Sequence, residues 1–356
     1  MTSSSNRNAF IVGLGLIGAS AALALREAGW IVSGTDRDES VTERALELGV
    51  VTSSTLDESH RLVVVATPAG DVAKVVNELL EKHDRTDLIV TDVAGVKGSI
   101  AARVFDPRFV GGHPMAGSEL RGMAGARADL FRGCTWVLTP TASTEPATYS
   151  ELHGVLRELG ANVVAVSASD HDRLVAIASH VPHLLAGALM NEASRVAEYD
   201  AVLLRLAAGG FRDMTRVAAG DPTIWPDVLF ENRAAVTQSL LAIEARLAAL
   251  RGALENSHQD LVAEELTRAA KARRELPGRA LDSDNLAYLR VNVSDQPGVL
   301  ASVTTAASEV SVNIFDIEIA HGIEGTGGTL LLAVDARHVE LFCRTLTERG
   351  YQVGVE

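Results

Sequence analysis

The sequence predicts an α/β protein: a doubly wound sheet, then an all-α region, then a small βαββαβ module. Three observations carry this reading. Short apolar strands alternate with helical patterns through the first half, which implies a parallel sheet with helices on both faces. From about Ser169 the strand signals vanish, and Ala/Leu-rich helical patterns run to about Glu275. From Leu286 the order strand, helix, strand, strand, helix, strand begins.

The first-half strands are Phe10–Val12, Trp30–Thr35, Leu62–Ala66, Leu88–Asp92, Phe109–Gly111 and Trp136–Thr139, with a last one near Asn162–Val166. Helical stretches at Ala19–Ala28, Asp71–Lys82 and Ala147–Leu159 lie between some of them. In the all-α region, Asp170–Glu198 and Glu231–Ala272 are long for globular helices. Their broad apolar faces suit packing against partners, another subunit included. Pro277-Gly278 and the polar run Asp282–Asn285 mark a linker. Beyond it, Leu286–Val293, Ile314–Ala320, Thr329–Val334 and Tyr351–Val355 read as strands. Val299–Ser308 and Val339–Arg349 read as helices, and the order is the ferredoxin-like plan. The domains are therefore 1–168, 169–280 and 285–356. No internal repeat or low-complexity tract interrupts them.

Composition bounds the function. At about 150 residues per domain, 356 residues make two or three domains. An apolar content of 47% excludes a wholly disordered chain. The 32 Lys+Arg against 46 Asp+Glu leave a net charge of −14, which argues against nucleic acid and against a polybasic membrane patch. A small anionic substrate needs only a local cluster of cations and stays open. Cys134 and Cys343 lie too far apart for a disulfide framework or zinc site, as expected of a reducing, cytoplasmic compartment. The stretch Ala9–Leu25 has the apolar character of a signal peptide, but only Arg7 flanks it and its glycines sit at fixed offsets. No other apolar run is expected to span a bilayer.

Those glycines are the cofactor signal. Gly13-Leu14-Gly15-Leu16-Ile17-Gly18 follows a strand and opens a helix. Gly13 permits a tight turn, Gly15 lets a pyrophosphate approach the backbone, and Gly18 allows close helix–strand packing. Asp36 ends the next strand, where an acid binds the ribose 2′-hydroxyl of NAD in a Rossmann-type domain. A plain tight turn beside an exposed acid is the alternative. Arg37 keeps NADP open, although Asp36 repels a 2′-phosphate. Ala66-Thr67-Pro68 sits where a loop passes the nicotinamide ribose, or is an ordinary strand-end turn.

Candidate chemistry follows in chain order. His113, in Gly111-Gly-His-Pro-Met-Ala-Gly117-Ser-Glu119, lies just past a strand, where a doubly wound sheet faces its ligand crevice. Histidine takes a proton near neutral pH, though a loop histidine is commonly only a polar surface residue. His180 and His183 are three apart and share a helical face. Zinc would need a third ligand that the pattern does not supply, and a solvated face is the plain alternative. Arg216, in Gly209-Gly-Phe-Arg-Asp213-Met-Thr-Arg216, suits bidentate capture of a carboxylate, with a surface ion pair to Asp213 as the alternative.

The ordered set GLGLIG, D-x-x-x-VKG, GxHPMAG, SHxPH, GGFRDMTR and DPxxW resembles the prephenate/arogenate dehydrogenases, the TyrA family of tyrosine biosynthesis, over about residues 8–275. Asp295-Gln-Pro-Gly298-Val299-Leu300 resembles an ACT domain, an amino-acid-sensing module carried by some members. The resemblance implies a homodimeric NAD enzyme that oxidatively decarboxylates a cyclohexadiene bearing a ring carboxylate and a C4 hydroxyl. It implies that His113 accepts the hydroxyl proton, Arg216 holds the ring carboxylate and His183 the side chain. His180 and Glu119 line the pocket, with Asp213 and Trp225 in support. The tail implies an aromatic amino-acid effector at Asp295, Gly298, Val299 and Leu300.

Two departures stand out. The family's Asp-x-x-Ser-Val-Lys reads here Asp92-Val-Ala-Gly95-Val-Lys97, so the serine that contacts the catalytic histidine and the C4 substituent is missing. Either water replaces it, or the C4 substituent is an amine, as in 4-amino-4-deoxyprephenate dehydrogenases of antibiotic-precursor synthesis. Leu120-Arg121 stands where Lys-Ser is common. Two rivals remain. One is a non-catalytic NAD and amino-acid sensor. The other is a 3-hydroxyacid dehydrogenase, which is expected to use a lysine in its helical domain; no lysine occurs between Lys97 and Lys271.

Overall fold

The computed structural model describes residues 7–117, 120, 122–200, 202–275, 286–293, 302–303, 306–307, 309–310, 312, 314–321 and 328–355. The chain divides into two compact units, Met1–Val262 and Ala263–Glu356.

The first unit is built on a seven-stranded sheet of order β2-β1-β3-β4-β5-β6-β7. The strands are β1 (Asn8–Val12), β2 (Ile31–Thr35), β3 (Leu62–Val65), β4 (Ile89–Asp92), β5 (Phe109–Pro114), β6 (Thr135–Thr139) and β7 (Asn162–Ala165). Alternate residues feed opposite faces. Ala9 and Ile11 of β1 join one core with helices α1 (Leu16–Glu27), α2 (Glu39–Glu47) and α5 (Pro146–Glu158), while Phe10 joins a second core with α3 (Ala69–Lys82) and α4 (Gly98–Ala101). Two-sided burial explains why these strands read as continuous apolar runs rather than alternating ones.

The sheet is not wholly parallel, which corrects the expectation. β5 and β6 pair antiparallel, with His113 opposite Val137. Only a short 3₁₀ turn, Met123–Gly125, is assigned among the described residues between them, so the chain reverses without a crossover helix. β5 also runs three residues further than expected and carries His113 inside the sheet.

The helical part contains α6 (Ala168–Val175), a π-turn (Ala176–His180), α7 (Val181–Ala197), α8 (Val202–Leu206), α9 (Gly209–Thr215), a 3₁₀ turn (Arg216–Ala219), α10 (Trp225–Glu231), α11 (Arg233–Glu255) and α12 (Gln259–Glu275). The single long helix expected over Glu231–Ala272 is broken, because Ser257 adopts φ 56° between α11 and α12. The run Ala168–Ala197 is long and apolar enough to cross a membrane by length and composition, contrary to expectation. It nevertheless carries buried His171, Asp172 and His180, which suits a core helix.

In the second unit a four-stranded antiparallel sheet has the order β11-β8-β10-β9, from β8 (Leu286–Val293), β9 (Ile314–His321), β10 (Gly328–Asp335) and β11 (Gln352–Val355). Leu289, Val291, Leu330 and Leu332 pack with Phe342 and Leu346 of the helix Val339–Glu348. Val303, Ala306 and Ala307 join the same core.

Candidate active site

The loop after β1 forms a cradle. Gly13 has φ +94°, and a Cβ there would meet the Ala66 carbonyl oxygen at 2.5 Å. A Cβ on Gly18 would stand 1.9 Å from the Gly13 carbonyl oxygen, so α1 packs against the loop as only glycine allows. A Cβ on Gly15 would meet nothing within 4 Å, which leaves room for a ligand over the backbone. Gly15 caps α1 without a side-chain hydrogen bond, and a helix N-terminus of this kind favours an anion.

The Asp36 carboxylate, at the end of β2, accepts the Leu14 N–H at 2.7 Å and the Asp38 N–H at 3.0 Å. Leu16 and Ile17 are half-buried in the first turn of α1, and Arg37 is exposed. Ala66 and Thr67 lie against Gly13, and Pro68 caps α3. The Thr67 hydroxyl is buried without a hydrogen-bond partner, an orphan beside the cradle that a ribose hydroxyl would satisfy. These features fit a dinucleotide.

A second group forms around β5. His113 Nδ1 lies 2.8 Å from His171 Nε2, and His171 Nδ1 lies 2.8 Å from Asp172 Oδ1. Asp172 also accepts the Lys97 N–H and the Gly98 N–H, each at 2.7 Å. Burial works to raise its pKa, but the His171 hydrogen bond and the two backbone donors outweigh it and hold the carboxyl below its ordinary range. Burial, followed by the charges of His171, Lys97 and His180, holds His113 well below the usual histidine value.

Beneath this lies a sealed ion pair between Lys97 Nζ and Asp92 Oδ2, with side chains 1% and 0% exposed. Asp92 also accepts the Ala94 N–H at 2.9 Å and the Gly112 N–H at 3.1 Å, fixing β5 just before His113. Gly112 is required by close approach, since a Cβ would stand 2.7 Å from the Asp92 carbonyl oxygen. Desolvation lowers the Lys97 pKa, with Asp92 opposing.

α10 closes the arrangement. Val228 and the His113 imidazole flank the position that a Gly95 Cβ would occupy, at 3.9 Å from Val228 Cγ1 and 3.7 Å from His113 Nε2. One turn earlier, Trp225 stacks on His183 with centroids 3.7 Å apart and meets His180 edge-on at 6.2 Å. Burial lowers the pKa of His183 and takes His180 down to about 4. Asn232 donates to the Asp172 carbonyl at 2.8 Å and lies 3.2 Å from His180 Nδ1. Arg216 is exposed and begins the turn packed on α7; Asp213 is exposed on α9. Gly220 links that turn to the stack, with a Cβ position 3.5 Å from His183 Cε1.

The structure thus brings together Gly13, Gly15, Gly18, Asp36, Ala66 and Thr67, and separately His113 with Gly95 and His180 with His183 and Trp225. Glu119, Asp295, Gly298, Val299 and Leu300 lie outside the described residues. Among the described residues no group of three His, Cys, Asp or Glu side chains could hold a metal ion. Sequence reasoning missed His171, Asp172, Asp92, Lys97 and Asn232 as parts of the site. Nine positions at about 100° each would put His171 and His180 on opposite helix faces. The π-turn between them shifts that phase, and both act electrostatically on His113.

Comparison with known proteins gives the same picture. The prephenate dehydrogenase nucleotide-binding domain matches residues 21–165, and the prephenate dehydrogenase dimerization domain matches residues 167–269. A prephenate dehydrogenase of Bacillus subtilis (strain 168) is 31% identical over 337 residues, covering 91% of each chain. A cyclohexadienyl dehydrogenase of Zymomonas mobilis is 34% identical over 278 residues, covering 74% of this chain and 94% of the relative. Among solved structures, prephenate dehydrogenase from A. aeolicus in complex with hydroxyphenyl propionate and NAD+ aligns with TM-score 0.72 and 29% identity, over 77% of this chain and 100% of that one. On this likeness, across both the nucleotide-binding and the dimerization domain, the chain belongs to the prephenate dehydrogenase family.

Proposed function

We propose that this chain is an NAD-dependent oxidoreductase that oxidatively decarboxylates prephenate or arogenate, yielding 4-hydroxyphenylpyruvate or tyrosine. The observation that carries the reading is His113: a half-buried histidine, its pKa held well below the ordinary value, whose Nε2 faces the gap at Gly95. The Gly13–Gly18 loop, Asp36, Ala66, Thr67 and Pro68 hold NAD, with Asp36 favouring it over NADP beside Arg37. When bound there, NAD would supply the acceptor for the hydride that leaves C4. His113 takes the C4 hydroxyl proton and so raises the electron density that expels the hydride. The C1–carboxylate bond then breaks, its electron pair enters the ring, and carbon dioxide leaves an aromatic product. Arg216 holds the ring carboxylate, His183 and His180 contact the rest of the substrate, and Glu119, Asp213 and Trp225 support them. Arg216 must not over-stabilise a carboxylate that is lost, since only transition-state binding accelerates the step.

A second reading is favoured by Gly95. With no hydroxyl beside His113 Nε2, an amine at C4 brings its own donors, and the substrate is 4-amino-4-deoxyprephenate. The deciding experiment is NADH formation by the purified protein with each of the three substrates at equal concentration. A higher kcat/KM for a hydroxyl substrate supports tyrosine synthesis, and a preference for the amine supports the second reading. Absence of turnover with all three revives a non-catalytic sensor. His113→Asn should keep NAD binding and lose most turnover; near-normal turnover removes His113 as the base.

The protein acts as a cytoplasmic homodimer through its helical domain, within the division 1–168, 169–280 and 285–356. The matched dimerization domain supports the dimer, and the half-buried free cysteines Cys134 and Cys343 suit a reducing compartment. The tail is an ACT-type βαββαβ unit that binds an aromatic amino acid at Asp295, Gly298, Val299 and Leu300. The antiparallel order β11-β8-β10-β9 supports this. An unchanged rate and melting temperature with millimolar aromatic amino acids would remove the effector.

A further inference from the structure

The hydrogen bonds around His113 leave one consistent placement for each proton. Asp172 is an ionised carboxylate, accepting from the Lys97 and Gly98 backbone N–H groups. It has no proton to give, so at the 2.8 Å contact His171 Nδ1 is the donor. A neutral imidazole protonated at Nδ1 has a bare Nε2. That Nε2 lies 2.8 Å from His113 Nδ1, so His113 Nδ1 carries the hydrogen. The lone pair of His113 is then on Nε2, the nitrogen nearest the Gly95 gap.

We infer that His171, oriented by Asp172, is a positioning residue that holds His113 in the Nδ1–H tautomer and thereby makes Nε2 the base. This rests on the reading of His113 as the proton acceptor. The third group in such a relay sets the tautomer of the base without taking the proton itself. The converse arrangement is inactive. A proton on His171 Nε2 would be donated to His113 Nδ1, leaving the hydrogen of His113 on Nε2, where no proton can be accepted.

The surroundings favour the productive form. Burial, then the charges of His171 and Lys97, oppose a cationic His113, and His171 itself is only 1% exposed. Asp92 is committed to Lys97 and to the Gly112 and Ala94 N–H groups. The Asn232 amide donates to the Asp172 carbonyl and to His180 Nδ1, so His180 Nδ1 is an acceptor and sends no proton toward the relay.

The test uses the full-length, substrate-free protein with ¹⁵N-labelled histidine. Long-range ¹H–¹⁵N correlations report which imidazole nitrogen is protonated, and the signals lost in His113→Asn assign His113. We expect a protonated Nδ1 and a bare Nε2 at both His113 and His171. In His171→Leu, His113 should show the other tautomer or a mixture, and kcat should fall by at least on the order of 10²-fold. The KM for NAD should not change. His171→Gln, which keeps an acceptor, should recover about tenfold of that loss. A proton on His113 Nε2 in the parent protein overturns the inference. So does a His171→Leu variant with the parent tautomer and kcat. The tautomer is read without turnover, so it stands or falls apart from the substrate: the expected tautomer with no turnover of any cyclohexadiene would remove the substrate reading alone.

Discussion

Gly95 leaves a gap at the Nε2 of His113. A Cβ at this position would stop 3.7 Å from that nitrogen, in ordinary contact. The backbone of Gly95 is not in the left-handed region, so a side chain is accommodated without strain. We therefore predict that Gly95→Ser folds normally, with a melting temperature within about 2 °C of the parent. Its hydroxyl reaches toward His113 Nε2 and the C4 substituent. A hydrogen bond worth about 1 kcal/mol shifts the preference between hydroxyl and amine substrates roughly fivefold toward the hydroxyl. The ratio of the two kcat/KM values measures this, and an unchanged ratio removes Gly95 as a specificity position.

The buried pair Asp92–Lys97 makes a separate prediction about stability. Lys97→Met leaves the Asp92 carboxylate with its backbone donors but no cation, in a site from which water is excluded. Breaking one side of such a pair costs about 3–5 kcal/mol. The double variant Asp92→Asn/Lys97→Met removes both charges and should recover at least half of that loss. Urea unfolding measures both, and a loss below about 1 kcal/mol in the single variant would mean the pair is not sealed.

The glycine cradle was legible because its constraint is local: Gly13, Gly15 and Gly18 act on a few neighbouring atoms. His113 was legible only as a candidate, since its hydrogen-bond partner His171 lies 58 positions away. That distance is closed by the tertiary fold, and no spacing rule reports it. The π-turn was equally hidden, because Ala176–His180 reads as ordinary helix. The antiparallel turn of β6 was missed because direction depends on the connection, not on the apolar run itself. Asp92 and Lys97 stood in a quoted motif, yet their burial, which gives the pair its weight, appears only once β4 and β5 are side by side.

The low pKa values set the pH dependence. His113 is held well below its ordinary 6.5, so it is already neutral where a free histidine would be half protonated. The acid limb of kcat/KM, which reports the free enzyme, should therefore fall below pH 6.5. A limb at or above that value would place the titrating base elsewhere. Stability moves the same way. His180 is pushed down to about 4 by burial from an ordinary 6.5. Between those values the unfolded chain binds the proton and the folded one does not, so stability is lost as pH falls through this window. The melting temperature should drop on acidification from pH 7 to 5, and drop less in His180→Asn.

Arg216 carries the last prediction. It opens the turn Arg216–Ala219, and Gly220 ties that turn to His183 and, through the stack, to Trp225. The turn that Arg216 opens therefore packs on α7, the helix that carries the stacked His183. A charge-assisted hydrogen bond contributes about 1.5–3 kcal/mol, which is roughly 10- to 150-fold in binding. Arg216→Ala should raise the KM for the cyclohexadiene by that factor and leave the KM for NAD unchanged, because the cradle at Gly13–Gly18 is a separate construction. Arg216→Lys keeps the charge but loses the planar fork, and should fall between the two. Steady-state kinetics with each substrate varied in turn measures all three proteins. An unchanged cyclohexadiene KM in Arg216→Ala would move the carboxylate contact to another cation.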